Sequence, residues 1–490
     1  GVRRCLYVVP NVWQEDLEPL MSLGETRGYG RIFLARESLS ADPATFRAEL
    51  RARIATESQN TALSVLLVGS SNDYEPMFDD WQTWWPAGEW RTVRQGYLDQ
   101  GYVRQAERDI IPTWYAADPR PQPDGMSWFR PYFDTDFPYS DWTGDGVPDV
   151  VVARAPVATQ AELVAWIANV LEFEYVPRPP LRIGVWANDS DWSGNSGLFV
   201  TDLVNEHVLP FVPSGYTSDV LWTSQIGGVH SLREAALRSQ IGSGVETVVT
   251  LATISTRYRT GDFHRETFAV TSIPFSPRFV MIGTTCDVGG FNRTHNPSYG
   301  VPAGVRFLTA QDRGAITWIA PSAGSWQEGD AVIAQALLIE IYGQPQRALG
   351  TSFLEAQQAV LASRPDLSDL VQSFGFSGCP FTRLSTNDVP TDALVVPRQT
   401  FLYPSVPNPF NATTEIRFSV GESGRATLDV FDVRGARIRR LFDGLAHPGQ
   451  LQRLVWVGTD AVGRPVSSGV YFVHLNAGGK ALSHKLTLLK

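Results

Sequence analysis

Three sets of residues in this chain have types and spacings that could do chemistry. The first is Cys286, in Arg278-Phe-Val-Met-Ile-Gly-Thr-Thr-Cys286-Asp-Val-Gly-Gly-Phe-Asn292. Residues 279–282 form an apolar run without polar alternation, which predicts a strand buried on both faces of a parallel sheet. Reactive groups in open α/β sheets sit just past the carboxyl ends of strands. A thiol there is a candidate nucleophile; the plainer alternative is a small buried hydrophobe. The second set is Asp141, Asp145 and Asp149, spaced around Gly turns in Asp-Trp-Thr-Gly-Asp-Gly-Val-Pro-Asp. Hard oxygen ligands on a tight loop suit Ca²⁺, and Asp-Gly turn chemistry alone is the competing reading. The third set is the histidines, of which His230, His264 and His295 lie nearest in sequence to the Cys286 strand.

The elements that must position these groups follow from hydrophobic periodicity. Apolar runs at 6–9, 31–35 and 63–69 alternate with helical spacing at 14–23 and 43–56. Strand, helix, strand is the signature of right-handed parallel crossovers, so the chain opens as a doubly wound, mainly parallel α/β domain. Residues 72–141 break the pattern with closely spaced tryptophans, among them Trp81, Trp84, Trp85 and Trp90, and many Pro, Asp and Tyr. A long irregular insertion of this kind is either functional or aromatic filler for an irregular layer. The α/β pattern resumes at 150–153. Thr159-Gln-Ala-Glu162 is a capping box for the helix that follows. Further strands fall at 182–187, 219–223, 245–251 and 314–320, and the strand at 182–187 runs into the acidic loop Asn188-Asp-Ser-Asp-Trp192.

Near residue 378 the composition turns to that of a linker, rich in Pro and turn residues, through 404. Beyond it, short alternating strands with Gly turns predict a small immunoglobulin-like β-sandwich over 405–490. The division is therefore 1–378 for the α/β domain, 379–404 for the linker and 405–490 for the sandwich.

A formal net charge of -10 argues against phosphate-backbone binding, so no nucleic-acid partner is expected. Three cysteines cannot build a disulfide framework, and Cys5 and Cys379 have no constellation around them. No apolar run is long enough to span a membrane. Residue 1 leads almost directly into a strand, so a signal segment or pro-region is expected to have preceded it.

The α/β domain resembles the gingipain family of cysteine peptidases, whose fold is caspase-like. The resemblance rests on Leu66-Leu-Val-Gly69, on Asp145-Gly-Val-Pro-Asp-Val-Val-Val-Ala-Arg154, on Cys286-Asp-Val-Gly-Gly-Phe291 and on Gly314-Ala-Ile-Thr-Trp-Ile-Ala320 with Ser325-Trp326. The sandwich resembles the C-terminal sorting domains of proteins exported by the type IX secretion system, through Pro407-Asn-Pro-Phe-Asn411, Asp432-Val-Arg-Gly435, Trp456 and Ser468-Gly-Val-Tyr-Phe472. The first resemblance implies a thiolate nucleophile at Cys286, an orienting acid at Asp189 or, second, Asp191, and protein or peptide substrates. The second implies a secreted or cell-surface protein whose sorting domain meets the type IX machinery. The family's catalytic His has no counterpart at the matching place. Val248-Val-Thr-Leu-Ala-Thr-Ile-Ser255 puts Thr253 there, which leaves His264, His230 or His295 as substitute bases. The alternative is a catalytically inactive homologue that acts as a surface binding or structural protein.

Overall fold

The apolar runs read from the sequence pair into one large sheet in the computed structural model of the chain. The structure describes residues 3–59, 61–71, 110–117, 132–175, 182–187, 197–214, 216–226, 230–251, 278–284, 303–310, 313–322, 325, 327–344, 346–384, 400–402, 405, 408, 410–447 and 452–489. Two units make up the chain: Gly1–Glu15 with Arg27–Thr386, and Asp16–Thr26 with Asn387–Lys490.

In the first unit the strands are β1 (Arg3–Val9), β2 (Tyr29–Ala35), β3 (Ala62–Val68), β4 (Trp114–Ala117), β5 (Tyr132–Thr135) and β6 (Val151–Ala155), then β7 (Arg182–Ala187), β8 (Thr217–Trp222), β9 (Thr247–Leu251), β10 (Phe279–Thr284), β11 (Ala315–Pro321) and β12 (Phe374–Gly378). Ten of them form one sheet in the order β2-β1-β3-β6-β12-β11-β10-β9-β7-β8, while β4 and β5 pair as a separate antiparallel hairpin. The pairs β1–β2, β1–β3, β3–β6, β7–β8, β7–β9, β9–β10 and β10–β11 are all parallel. β10 is buried along its whole length, as a strand covered on both faces must be.

Crossover helices start where their caps dictate. Asp42 precedes the helix Pro43–Ser58; its Oδ2 accepts from the Thr45 amide at 2.8 Å, and Pro43 sits where no intrahelical N–H is needed. Phe46, Leu50 and Ile54 then form the buried stripe of that helix. Ahead of the helix Gln160–Tyr175, Thr159 Oγ1 accepts from the Glu162 amide at 3.2 Å, while the Glu162 carboxylate reaches back to the Ala158 amide. This is the predicted capping box, with its return bond shifted one residue upstream.

Two features depart from the sequence reading. β12 runs antiparallel to β11 and meets β6 at the Ser377–Arg154 pair, so it lies between two groups of parallel strands. Its sequence, Phe-Gly-Phe-Ser-Gly, carries two glycines and reads as turn composition. The second departure is at the expected linker: the α/β unit continues past residue 378 to Thr386. Cys379, Phe381 and Leu384 are buried, and the Phe381 ring packs 5.6 Å from Tyr29 and 6.4 Å from Tyr7. These buried anchors outweigh the Cys-Pro that reads as linker.

The second unit contains two antiparallel sheets. One is formed by β13 (Phe401–Leu402), β14 (Thr414–Ser419) and β17 (Gln452–Trp456), in the order β13-β14-β17. The other, in the order β16-β15-β18-β19, comes from β15 (Gly424–Asp432), β16 (Arg437–Ala446), β18 (Gly469–Ala477) and β19 (Lys480–Leu488). Ile416, Phe418 and Trp456 of the first sheet share one core with Leu428, Val430, Val473 and Leu475 of the second. Trp456 donates from Nε1 to the Thr459 carbonyl at 2.9 Å, so this large buried ring leaves no orphan donor. Asp432 accepts from the Arg434 and Ala436 amides, both at 2.9 Å, and Gly435 takes φ +79°. The Asp-Val-Arg-Gly signature is therefore a tight turn joining β15 to β16.

Candidate active site

The parallel strands that lead to the predicted catalytic positions end level with one another. Ala187 of β7 pairs with Leu251 of β9, and Leu251 pairs with Thr284 of β10. Asp189, Thr253 and Cys286 each come two residues after one of these three. All three, with Asp191, His264 and His295, lie outside the described residues. His230 opens the helix His230–Gly242 after β8; its side chain also lies outside them.

The strand ends are tied together. The Thr284 amide donates to Thr250 Oγ1 at 3.2 Å, and the Thr284 hydroxyl donates to the Thr250 carbonyl. Both threonines are buried. Just before β11, Gly314 takes φ +98°, and a Cβ there would lie 2.1 Å from the Phe307 carbonyl oxygen. Only glycine fits, which accounts for the first residue of the Gly-Ala-Ile-Thr-Trp signature. Past β11, Ser322 donates to the carbonyls of Asp134 and Ser373, and Ser325 donates to Asp330 Oδ2 at 2.6 Å.

A buried guanidinium supports the other half of the sheet. Arg154, 1 % exposed, forks onto Asp136 through Nε–Oδ2 and Nη2–Oδ1, both 2.7 Å. Its Nη1 donates to the carbonyls of Gly69 at 2.8 Å and Ile111 at 2.9 Å. Thr113 donates to Asp136 Oδ1 at 2.9 Å, and Thr135 donates to the Gln372 carbonyl. Ile111, Thr113, Thr135 and Asp136, all within the predicted insertion, are thereby fastened to Arg154 of β6 and to Gln372 just before β12. In the sequence Arg154 stands out only as the end of the Asp145–Arg154 motif. An arginine closing a fully apolar strand was the available signal, because burial of that charge demands a carboxylate partner.

The family model for peptidase family C25 matches residues 3–385. The chain belongs to peptidase family C25. Membership carries cysteine-peptidase chemistry and protein substrates as the family's activity. Among solved structures, the complex of Porphyromonas gingivalis RgpB pro- and mature domains matches at 12 % identity, covering 99 % of this chain and 100 % of its own, with a TM-score of 0.53. The Arg-specific cysteine proteinase gingipain R is similar at 12 %, with 100 % and 98 % covered and a TM-score of 0.53. A further protease structure is similar at 13 %, with 99 % and 97 % covered and a TM-score of 0.58. At these identities the likeness is one of fold, and it bears out the caspase-like α/β architecture followed by an all-β region. No curated protein matches the chain.

Two of the thiols in this C25 peptidase are unsuited to nucleophilic work. Cys5 and Cys379 are both fully buried. Burial pushes the Cys379 thiol up to about 12, against an opposing hydrogen bond with Thr382. Burial also raises the Cys5 thiol, against a hydrogen bond with Tyr7. A thiol held in its neutral form is inert, so neither Cys5 nor Cys379 suits the family's chemistry.

The acidic loop expected to take Ca²⁺ is a web of its own hydrogen bonds. Asp141 Oδ1 accepts from the amides of Gly144 at 2.7 Å and Asp145 at 3.2 Å, and Oδ2 accepts from Gly146 at 3.0 Å. Asp145 Oδ1 accepts from the Val147 amide at 3.0 Å, and Asp149 Oδ2 accepts from Thr143 N and Oγ1 at 3.1 and 3.0 Å. Among the described residues no three His, Cys, Asp or Glu side chains gather to hold a metal. Melting with and without a chelator decides between the ion and the turn. Asp145 and Asp149 accept from loop donors through one oxygen each; a Ca²⁺ held by this loop would make the midpoint fall on chelation, and an unchanged midpoint would leave the turn alone. Among the described residues no helix is long and apolar enough to cross a membrane.

Proposed function

We propose that the chain is an exported cysteine endopeptidase that cleaves peptide bonds through the Cys286 thiolate, with Asp189 orienting the group that carries the proton. What supports the reading is the level ending of β7, β9 and β10, each two residues short of Asp189, Thr253 and Cys286, in a chain of family C25. In such a step the thiolate attacks the scissile carbonyl, and a base takes and returns the proton. Export through the type IX system, with the C-terminal immunoglobulin-like unit as sorting signal, belongs to the same proposal. Its support is the Asp432–Gly435 turn and the Trp456 core of that unit, together with the sequence resemblance.

A second reading is favoured by one specific observation, the Thr at position 253 where the family's His is expected. On that reading the chain keeps the fold and binds without cutting. The test is twofold. A small alkylating agent applied to the native protein should label Cys286 and spare Cys5 and Cys379, and Cys286→Ala should abolish hydrolysis of an unstructured protein such as casein. Hydrolysis undiminished in Cys286→Ala would remove this nucleophile, and a parent that labels but never cuts would favour the binding reading.

A further inference from the structure

The two hydrogen bonds at the carboxyl ends of β9 and β10 stand out because side chains make them. The Thr284 amide donates to Thr250 Oγ1 at 3.2 Å, and the Thr284 hydroxyl returns a bond to the Thr250 carbonyl. Thr250 is 0 % and Thr284 2 % exposed, so water does not compete for these groups. Both side chains are β-branched and stiff at χ1, which holds each hydroxyl in one direction. Val has nearly the same shape, so a Thr→Val change at either position removes the hydroxyl and its bond while keeping most of the volume. The pair lies on the last stretch of sheet before the chain leaves for Cys286 on one strand and for 253 on the next.

We infer that Thr250 and Thr284 are positioning residues for the peptidase step, holding the exits of β9 and β10 in one fixed relation. The inference rests on the proposed peptidase reading. Neither residue touches substrate; each acts through the two residues that follow it. Misplacing a reacting group by about 1 Å can cost ~100-fold in rate, and the loss of a hydroxyl that locks two strand ends is a change of that kind.

The test uses the full chain with Thr284→Val, Thr250→Val and Thr284→Ser. The expected result is that each Val variant lowers kcat on a peptide substrate about tenfold with KM within about twofold, while Thr284→Ser keeps most of the parent kcat. The pH dependence of Cys286 alkylation should move in the Val variants and return in the Ser variant, a readout that loss of packing alone would not shift. A parent-like kcat and alkylation profile in both Val variants would overturn the inference. So would a Ser variant as impaired as Val, since volume and not the hydroxyl would then matter. Should Thr284→Val fail to fold, Thr250→Val and the Ser variant carry the same comparison. Should the parent cut no peptide, the peptidase reading falls, and the alkylation profile alone decides whether these hydroxyls position Cys286.

Discussion

Arg154→Met should destabilise the α/β unit by about 3–5 kcal/mol, the usual cost of breaking a buried ion pair by removing one partner. The guanidinium satisfies both oxygens of Asp136 and the carbonyls of Gly69 and Ile111 at once. Methionine fills part of the volume and leaves a nearly buried carboxylate with Thr113 as its remaining side-chain donor in the cluster. A domain's whole stability is on the order of 5–15 kcal/mol, so the loss should be plain in the urea transition of that unit. The double variant Arg154→Met with Asp136→Leu should recover part of it, since apolar replacement of both partners is often near neutral. A single variant that melts like the parent would mean that water replaces the guanidinium without penalty, and the fastening role of Arg154 would be lost.

Thr253→His should speed alkylation of Cys286 and peptide hydrolysis. A positioned base contributes ~100- to 10,000-fold to such a step. Threonine cannot accept a proton near neutral pH, and a free thiol with a pKa of about 8.5 is only slightly ionised there. An imidazole two residues past β9 would supply both a proton acceptor and, once protonated, a cation for the thiolate. The measurement is alkylation rate against pH for parent and variant, with hydrolysis followed alongside. Rapid alkylation of the parent at about pH 6 would show that another group, His230 or His264 among the candidates, already activates the thiol. The added His would then bring no gain.

Much of the scaffold was legible in the sequence because its strands are fully apolar. β7 has the bounds read from the sequence, and β10 runs two residues beyond its apolar core because Gly283 and Thr284 stay in the ladder. The helix Pro43–Ser58 was legible from its apolar stripe. What escaped was whatever depends on partners distant in sequence. β12 alternates only Phe374 and Phe376 with Gly375 and Ser377, too brief a pattern to announce a strand; its place comes from β11 on one side and β6 on the other. Arg154 meets Gly69, Ile111 and Asp136, which no periodicity relates. The Thr250–Thr284 tie exists only once the register of β9 and β10 is set. The amides that Asp141 accepts from are likewise invisible to a count of charges, since only the folded loop brings them to the carboxylate.

The place of β12 also bears on the order in which the chain can fold. The strands β2, β1, β3 and β6 form one group and β11, β10, β9, β7 and β8 the other, and β12 is the strand that joins them in the sheet. It comes from residues 374–378, after every other strand of that sheet has been made. Until it arrives, β6 and β11 present open, apolar edges of the sort that pair with other chains. Pairing so distant in sequence is slow, because loop closure must precede the contact. A nascent or truncated chain that stops short of residue 374 therefore holds two half-sheets with sticky borders, and its hazard is aggregation before completion.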